Sequence, residues 1–126
     1  MKLKCGIDAA RIRRLAEVNP KIKKRFIQRV YTEREQAQAS GSDEALVSLF
    51  AVKEAASKAL GTGIGKVSWR DIEVLHRLTG EPKLKLHGIA KKVAKQKKLT
   101  KWAVSITHEG DYAIASVVAM GGKVKK

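Results

Sequence analysis

The stretch Asp43-Glu44-Ala45-Leu46-Val47-Ser48-Leu49-Phe50-Ala51-Val52-Lys53-Glu54-Ala55-Ala56-Ser57-Lys58-Ala59-Leu60, with Gly61-Thr62-Gly63-Ile64-Gly65 behind it, decides the fold. Leu46, Leu49, Phe50 and the alanines recur at helical spacing, so residues 43 to 60 are predicted as one long helix. Ser40-Gly41-Ser42 breaks the chain ahead of it, and Gly61 supplies its C-terminal stop. Beyond the glycine-rich loop the period changes from helical to alternating. Ile72 and Val74, the turn Gly80-Glu81-Pro82, and Leu84 and Leu86 predict a hairpin. Residues 89 to 98 predict a lysine-faced surface helix on Ile89, Ala90, Val93 and Ala94. Two strands should follow, one placing Trp102, Val104, Ile106 and His108 on one face and the other spanning residues 112 to 120.

Upstream of the long helix, residues 2 to 8 are predicted as a strand and 9 to 18 as a helix carrying Ile12, Leu15, Ala16 and Val18. Asn19-Pro20 has the form of an N-cap followed by Pro at the first helical position. Thr32 and Glu35 have capping-box spacing. Helices first and antiparallel hairpins later predict an α+β domain, an antiparallel sheet of hairpins packed on a long central helix. The expected organisation is a single domain over residues 1–121 and a basic C-terminal tail at 122–126.

The chain has 126 residues and a formal net charge of +15, yet 44% of it is hydrophobic. That apolar fraction excludes a disordered basic tail and puts the charge on the outside of a core, where it attracts an acidic partner. No apolar run approaches the roughly 20 residues a membrane span needs, and the N-terminus lacks a signal-type stretch, so a soluble, cytoplasmic protein is expected. Cys5 is the lone cysteine, which excludes an intrachain disulfide and leaves it as a small buried apolar residue.

Glu54 and Lys58 stand one turn apart on one helix face. Alone, such a pair is an exposed ion pair contributing about 0.3–0.5 kcal/mol. Its neighbours Ala55, Ala56, Ser57 and Ala59 are small, however, which lets a bulky anionic ligand approach. Asp8, placed where a strand gives way to a helix, either caps that helix or joins Glu54 in holding Mg²⁺. That cation takes one or two protein carboxylates and completes its octahedron with water and phosphates. His108 ends a strand beside a turn and is either structural or able to reach a ligand. The Gly61–Gly65 loop lacks the Lys-Ser/Thr of a P-loop and follows a helix instead of preceding one, so that reading is rejected.

Together, Gly6-Ile7-Asp8 with Arg14, Phe50-Ala51-Val52-Lys53-Glu54-Ala55 with Lys58-Ala59-Leu60-Gly61-Thr62-Gly63, and Val104-Ser105-Ile106-Thr107-His108 closely resemble the holo-acyl-carrier-protein synthase family. This is the small branch of the 4′-phosphopantetheinyl transferases. Phe26-x-x-Arg29-x-x-Thr32-x-x-Glu35 and Asp71-Ile72-Glu73-Val74 extend the resemblance over nearly the whole chain. It implies the phosphopantetheinyl transferase fold and transfer of the 4′-phosphopantetheine arm of coenzyme A to a serine of apo acyl carrier protein, in fatty acid biosynthesis. It further implies Mg²⁺ on Asp8 and Glu54, catalytic roles for Glu54 and Lys58, and coenzyme A contacts from Lys53, Lys58, Gly61 and His108. The serine proton passes to Glu54 or to a metal-bound water, and both remain open. The resemblance also implies a homotrimer with interfacial active sites.

Two departures stand out. Leu49 occupies a position where the family usually carries Arg, and Arg11 one where an acid is common. Arg11, Arg13 and Arg14 make a basic face expected to dock the acidic carrier protein. A runner-up of another class, a basic nucleic-acid-binding or ribosome-associated protein, rests on residues 82 to 108, which hold many lysines and no acid. Trp102 is the one aromatic there, so no stacking platform exists, and partners other than nucleic acid or membrane are expected. The acidic pair Asp8 and Glu54, which a simple nucleic-acid binder does not need, separates the two readings.

Overall fold

The computed structural model describes residues 1–122, so the expected basic tail lies, beyond Gly122, outside the described residues. The chain runs β1 (Lys2–Arg11), α1 (Arg13–Ala16), α2 (Pro20–Val30), α3 (Glu33–Ala39), α4 (Asp43–Leu60), β2 (Ile72–His76), β3 (Pro82–Leu86), α5 (Gly88–Gln96), β4 (Leu99–Glu109) and β5 (Tyr112–Gly121). One antiparallel sheet has the order β1-β5-β4, and the hairpin β2-β3 makes a second. The architecture is the expected α+β one, with hairpins packed on the central helix.

Local chemistry accounts for the helix boundaries. Asn19 accepts a hydrogen bond from the Lys21 amide with Pro20 at the first helical position, and Thr32 and Glu35 form both halves of a capping box. Ser42 caps α4, Asp43 and Glu44 lie in its first turn, and Gly61 ends it in the left-handed region at φ 81°. Leu46, Leu49, Val52 and Leu60 are buried along α4 together with Ala51, Ala55, Ala56 and Ala59. The facing side of β5 is equally small: Ala113, Ala115, Val117 and Ala119 are all fully buried. Gly6 of β1 completes this seam, because a Cβ there would fall 1.9 Å from the Ala55 carbonyl oxygen. Strand and helix backbones therefore meet with no side chain between them.

A buried polar cluster joins the second sheet to this layer. The Lys53 ammonium is fully buried and donates to Glu35 Oε1 at 2.8 Å, to the Trp69 carbonyl at 2.9 Å and to the Ile72 carbonyl at 2.6 Å. Glu35 also accepts from the Val74 and Thr32 amides, each at 2.8 Å. Burial pulls the Lys53 ammonium below its ordinary pKa, and the Glu35 carboxylate opposes that shift. Beside this pair, Glu73 accepts from the Thr32 hydroxyl at 2.6 Å and contacts Arg34 and His87. Burial alone raises its pKa, but those partners outweigh burial and hold the carboxyl at about 2. Phe26, Phe50 and Trp69 continue the core as a row of rings with centroids 5.7 Å and 4.8 Å apart.

Three expectations near the N-terminus change. Ala9, Ala10 and Arg11 pair with Ile114, Ala113 and Tyr112, so β1 continues where a helix was predicted, and α1 is a single turn. Asp8 consequently sits inside a strand opposite Ala115 and caps nothing. Cys5 is exposed, not buried, because its strand position points away from α4. That outer sheet face also exposes Leu3 (69%), Ile7 (64%), Val118 and Met120. Among the described residues, no helix is long and apolar enough to cross a membrane.

Lys53→Met would leave the Glu35 carboxylate buried without its cation, at a cost of about 3–5 kcal/mol. Thermal unfolding should show a large drop in Tm for that variant, and pairing it with Glu35→Leu should recover most of the loss.

Candidate active site

The seam brings together residues far apart in sequence. Asp8 follows Gly6 by two positions and so shares its inner face of β1. From α4, Lys58 reaches across and places its Nζ 2.9 Å from the Ile7 carbonyl and 3.3 Å from Asp8 Oδ1. Its ion-pair partner is therefore Asp8, not Glu54 one turn away. Glu54 is half-buried at the same place, and its carboxyl is held above its ordinary pKa by burial first and the Asp8 charge second, with Lys58 opposing in part. Two carboxylates facing one ammonium leave an excess of negative charge.

That donor set fits Mg²⁺, which needs only one or two protein carboxylates when phosphate and water oxygens complete its shell. It does not fit a metal that needs a full protein shell: among the described residues no group of three or more His, Cys, Asp or Glu could hold one.

His108 of β4 lies elsewhere in the fold. Its Nε2 is 2.7 Å from the Ser48 hydroxyl and 3.6 Å from Glu44 Oε1, in a cleft of about 380 Å³ that His76, Pro82 and Ile106 also line. Asp8 and His108 belong to β1 and β4, the two edges of the sheet, with β5 between them. Two strand spacings put those edges roughly 10 Å apart. Ser48 and Glu54 are about 120° apart around the helix and about 9 Å apart along it, so the two groups meet α4 at different places. One protomer thus carries two separated groups of candidate site residues.

One of the expected coenzyme A contacts is corrected by this geometry. Lys53 cannot reach a ligand, since its ammonium is sealed in the core by Glu35 and two carbonyls. Gly61 is exposed, but its amide donates to the Ser57 and Lys58 carbonyls, and the Thr62 and Gly63 amides turn back to Ser57 as well. Its amide is thus taken up inside the turn. Lys97 Nζ binds the Leu60 carbonyl, which gives one member of the unexplained lysine stretch a capping role at the end of α4.

The basic face also divides. Arg11 and Arg14 border an apolar groove of about 180 Å³ floored by Leu15, Val18, Ile22 and Phe26. Arg13 turns away to Asp111, with Nε 3.1 Å from Oδ2, and does not line that groove. Sequence reasoning missed Ser48 and Glu44 as neighbours of His108. It also missed that α2, with Lys21, Lys24, Arg25 and Arg29 and no acid, adds charge near the Arg14 groove. The amphipathic pattern of α2, with Ile22 and Phe26 on one side, was the available signal for the second point.

The 4′-phosphopantetheinyl transferase superfamily profile matches residues 4–117. Holo-[acyl-carrier-protein] synthase of Herpetosiphon aurantiacus is 41% identical over 123 residues, covering 92% of this chain and 97% of the relative. The synthase of Carboxydothermus hydrogenoformans is 40% identical over 116 residues, covering 90% and 94%. The crystal structure of Helicobacter pylori holo-[acyl-carrier-protein] synthase in complex with coenzyme A superposes with a TM-score of 0.83 at 30% identity, covering 92% of this chain and 99% of that one. The enzyme from Neisseria meningitidis gives 0.83 at 32% identity, covering 93% and 97%.

An acid whose pKa rises on folding binds protons more tightly folded than unfolded, so it costs stability as pH climbs through its titration. Glu54→Gln should therefore raise Tm near pH 7, and the gain should vanish as pH falls below the ordinary glutamate value of 4.5. Thermal melts across pH 3.5 to 8 check this.

Proposed function

Because the chain belongs to the 4′-phosphopantetheinyl transferase superfamily, in its holo-[acyl-carrier-protein] synthase family, we propose that it transfers the 4′-phosphopantetheine arm of coenzyme A to a serine of apo acyl carrier protein, releasing adenosine 3′,5′-bisphosphate. The observation that carries this reading is the convergence of Asp8, Glu54 and Lys58 across the α4 seam. The serine oxygen attacks the β-phosphorus, and the bond to the α-phosphate oxygen breaks. Lys58, its side chain half exposed, donates to the phosphate oxygens that gain charge. Glu54 or a water molecule receives the serine proton. Asp8 and Glu54 would hold Mg²⁺, which would supply positive charge toward the pyrophosphate.

His108 serves the same donor from a neighbouring copy, because within one protomer β5 separates its strand from that of Asp8. The apolar outer sheet face at Leu3, Ile7, Val118 and Met120 supports such an assembly, and we assign it as a homotrimer with interfacial sites. The transferase occupies residues 1–121 as one domain and works in the cytoplasm on fatty acid biosynthesis. The carrier docks on the groove of Arg11 and Arg14, its acidic side chains meeting those guanidinium groups and its apolar ones the groove floor.

Incubation with coenzyme A, Mg²⁺ and apo acyl carrier protein should add the phosphopantetheine mass to the carrier, and no increment at any salt or pH would sink the reading. Lys58→Ala should lower kcat/KM by about 10²–10³, and chelation of divalent cations should stop transfer. Arg14→Glu should raise the KM for the carrier at low salt and leave that for coenzyme A unchanged. Sedimentation should give three chains per particle.

A further inference from the structure

Residues 82–108 hold eight lysines and no acid. Lys97 donates to the Leu60 carbonyl. The lysines that form ion pairs among the described residues are Lys23, Lys53 and Lys58, all outside this stretch. The two acids beside the start of α5 are already engaged: Asp71 accepts from the Ser68 amide, and Glu73 binds Arg34 and His87. The positive charge of the stretch is therefore not neutralised within the fold.

On α5 that charge falls on one face. At about 100° per residue, Lys91, Lys95 and Lys92 share an arc of about 100°, and Gln96 and Ile89 continue it. Ala90, Val93 and Ala94 are buried on the opposite side. Lys98 follows just past the helix end and is exposed as well. Ile89, at the edge of the lysine face, is 51% exposed. Ala90, Val93 and Ala94 share the core with Leu60 and Val117, on the covered side of the sheet. The lysine face is thus separate from the outer sheet surface of Leu3, Ile7, Val118 and Met120.

We propose that the outer face of α5 is a docking surface for an anionic lipid bilayer, with Lys91, Lys92, Lys95 and Lys98 on the headgroups and Ile89 entering the boundary beneath them. Among the described residues no helix can cross a membrane, but adsorption to a bilayer asks only for charge and a shallow apolar contact. A lysine ammonium is a compact, strongly hydrated point charge that suits a diffuse negative surface. Nucleic-acid sites draw instead on arginine forks and stacking rings. Residues 82–108 contain no arginine, and Trp102 packs against the core.

The full chain should cosediment with vesicles of phosphatidylglycerol and phosphatidylcholine in about 0.15 M salt, where distant charges are screened, and stay in solution with phosphatidylcholine alone. Each lysine near an anionic bilayer contributes about fivefold to the partition coefficient. Lys91→Gln, Lys92→Gln and Lys95→Gln combined should therefore lower it about a hundredfold. Lys2→Gln, Lys4→Gln and Lys66→Gln combined remove the same net charge at exposed positions elsewhere and should lower it less than about fivefold. Ile89→Ser should lower it about threefold. No binding to the anionic vesicles, or equal losses in the two triple variants, overturns the proposal. Tighter lysine-dependent binding to a short DNA or RNA duplex than to the vesicles assigns the face to nucleic acid and overturns it too. Transfer from coenzyme A to apo carrier without vesicles should be unchanged in the α5 variant, and its loss would place the face in the transfer reaction and sink the proposal. Transfer absent from the parent chain removes the transferase reading and leaves the lipid result standing.

Discussion

The absence of a side chain at Gly6 is the constraint on which the rest depends. Only a glycine lets β1 run against the Ala55 carbonyl, and the alanines of α4 and β5 extend that close approach along the helix. Asp8 comes two residues later on the same strand, and Lys58 comes from the next turn of the same helix. The distance over which Lys58 must stretch to reach the Ile7 carbonyl and Asp8 is therefore set by the helix–strand separation. A larger residue at the seam would move the carboxylates and the ammonium apart together. Packing and chemistry share one set of small residues.

The second support is the buried cluster of Lys53 and Glu35, which acts from the opposite direction. Successive helical residues differ by about 100° in heading, so Lys53 and Glu54, adjacent in the chain, diverge. Lys53 points into the core, satisfies Glu35 and gathers the carbonyls of Trp69 and Ile72. Glu54 points toward Asp8. The cluster fixes the rotation of α4 about its axis, and that rotation decides which face carries the carboxylate. Lys53 thus supports the site as a positioning residue and touches no ligand.

Local signals were legible and non-local ones were not. The caps at Asn19, Thr32 and Ser42 and the stop at Gly61 depend on residues within a few positions, and the structure forms each of them. The tail of β1 was misread as helix because what makes Ala9 to Arg11 extended is pairing with β5, about a hundred residues away. Cys5 was misplaced for the same reason, since strand orientation depends on which face α4 covers. In the site, Asp8, Glu54 and Lys58 could be grouped from motif order. The partnership of His108 with Ser48 spans 60 residues and leaves no periodic trace. Arg13 looked equivalent to Arg11 and Arg14 until Asp111 claimed it. Much of the +15 charge is likewise particular in its use, with Lys97 capping a helix and Lys23 pairing with Asp43.

The row of rings from Phe26 through Phe50 to Trp69 has an optical consequence. Phe26 and Phe50 form part of the groove between Arg11 and Arg14, and Trp69 stacks on Phe50 at 4.8 Å. An indole one ring removed from this groove senses changes in it through its local polarity and through collisions with its neighbour. The molecule therefore contains its own fluorophore for occupancy of that groove, placed by core packing and separate from Asp8, Glu54 and Lys58.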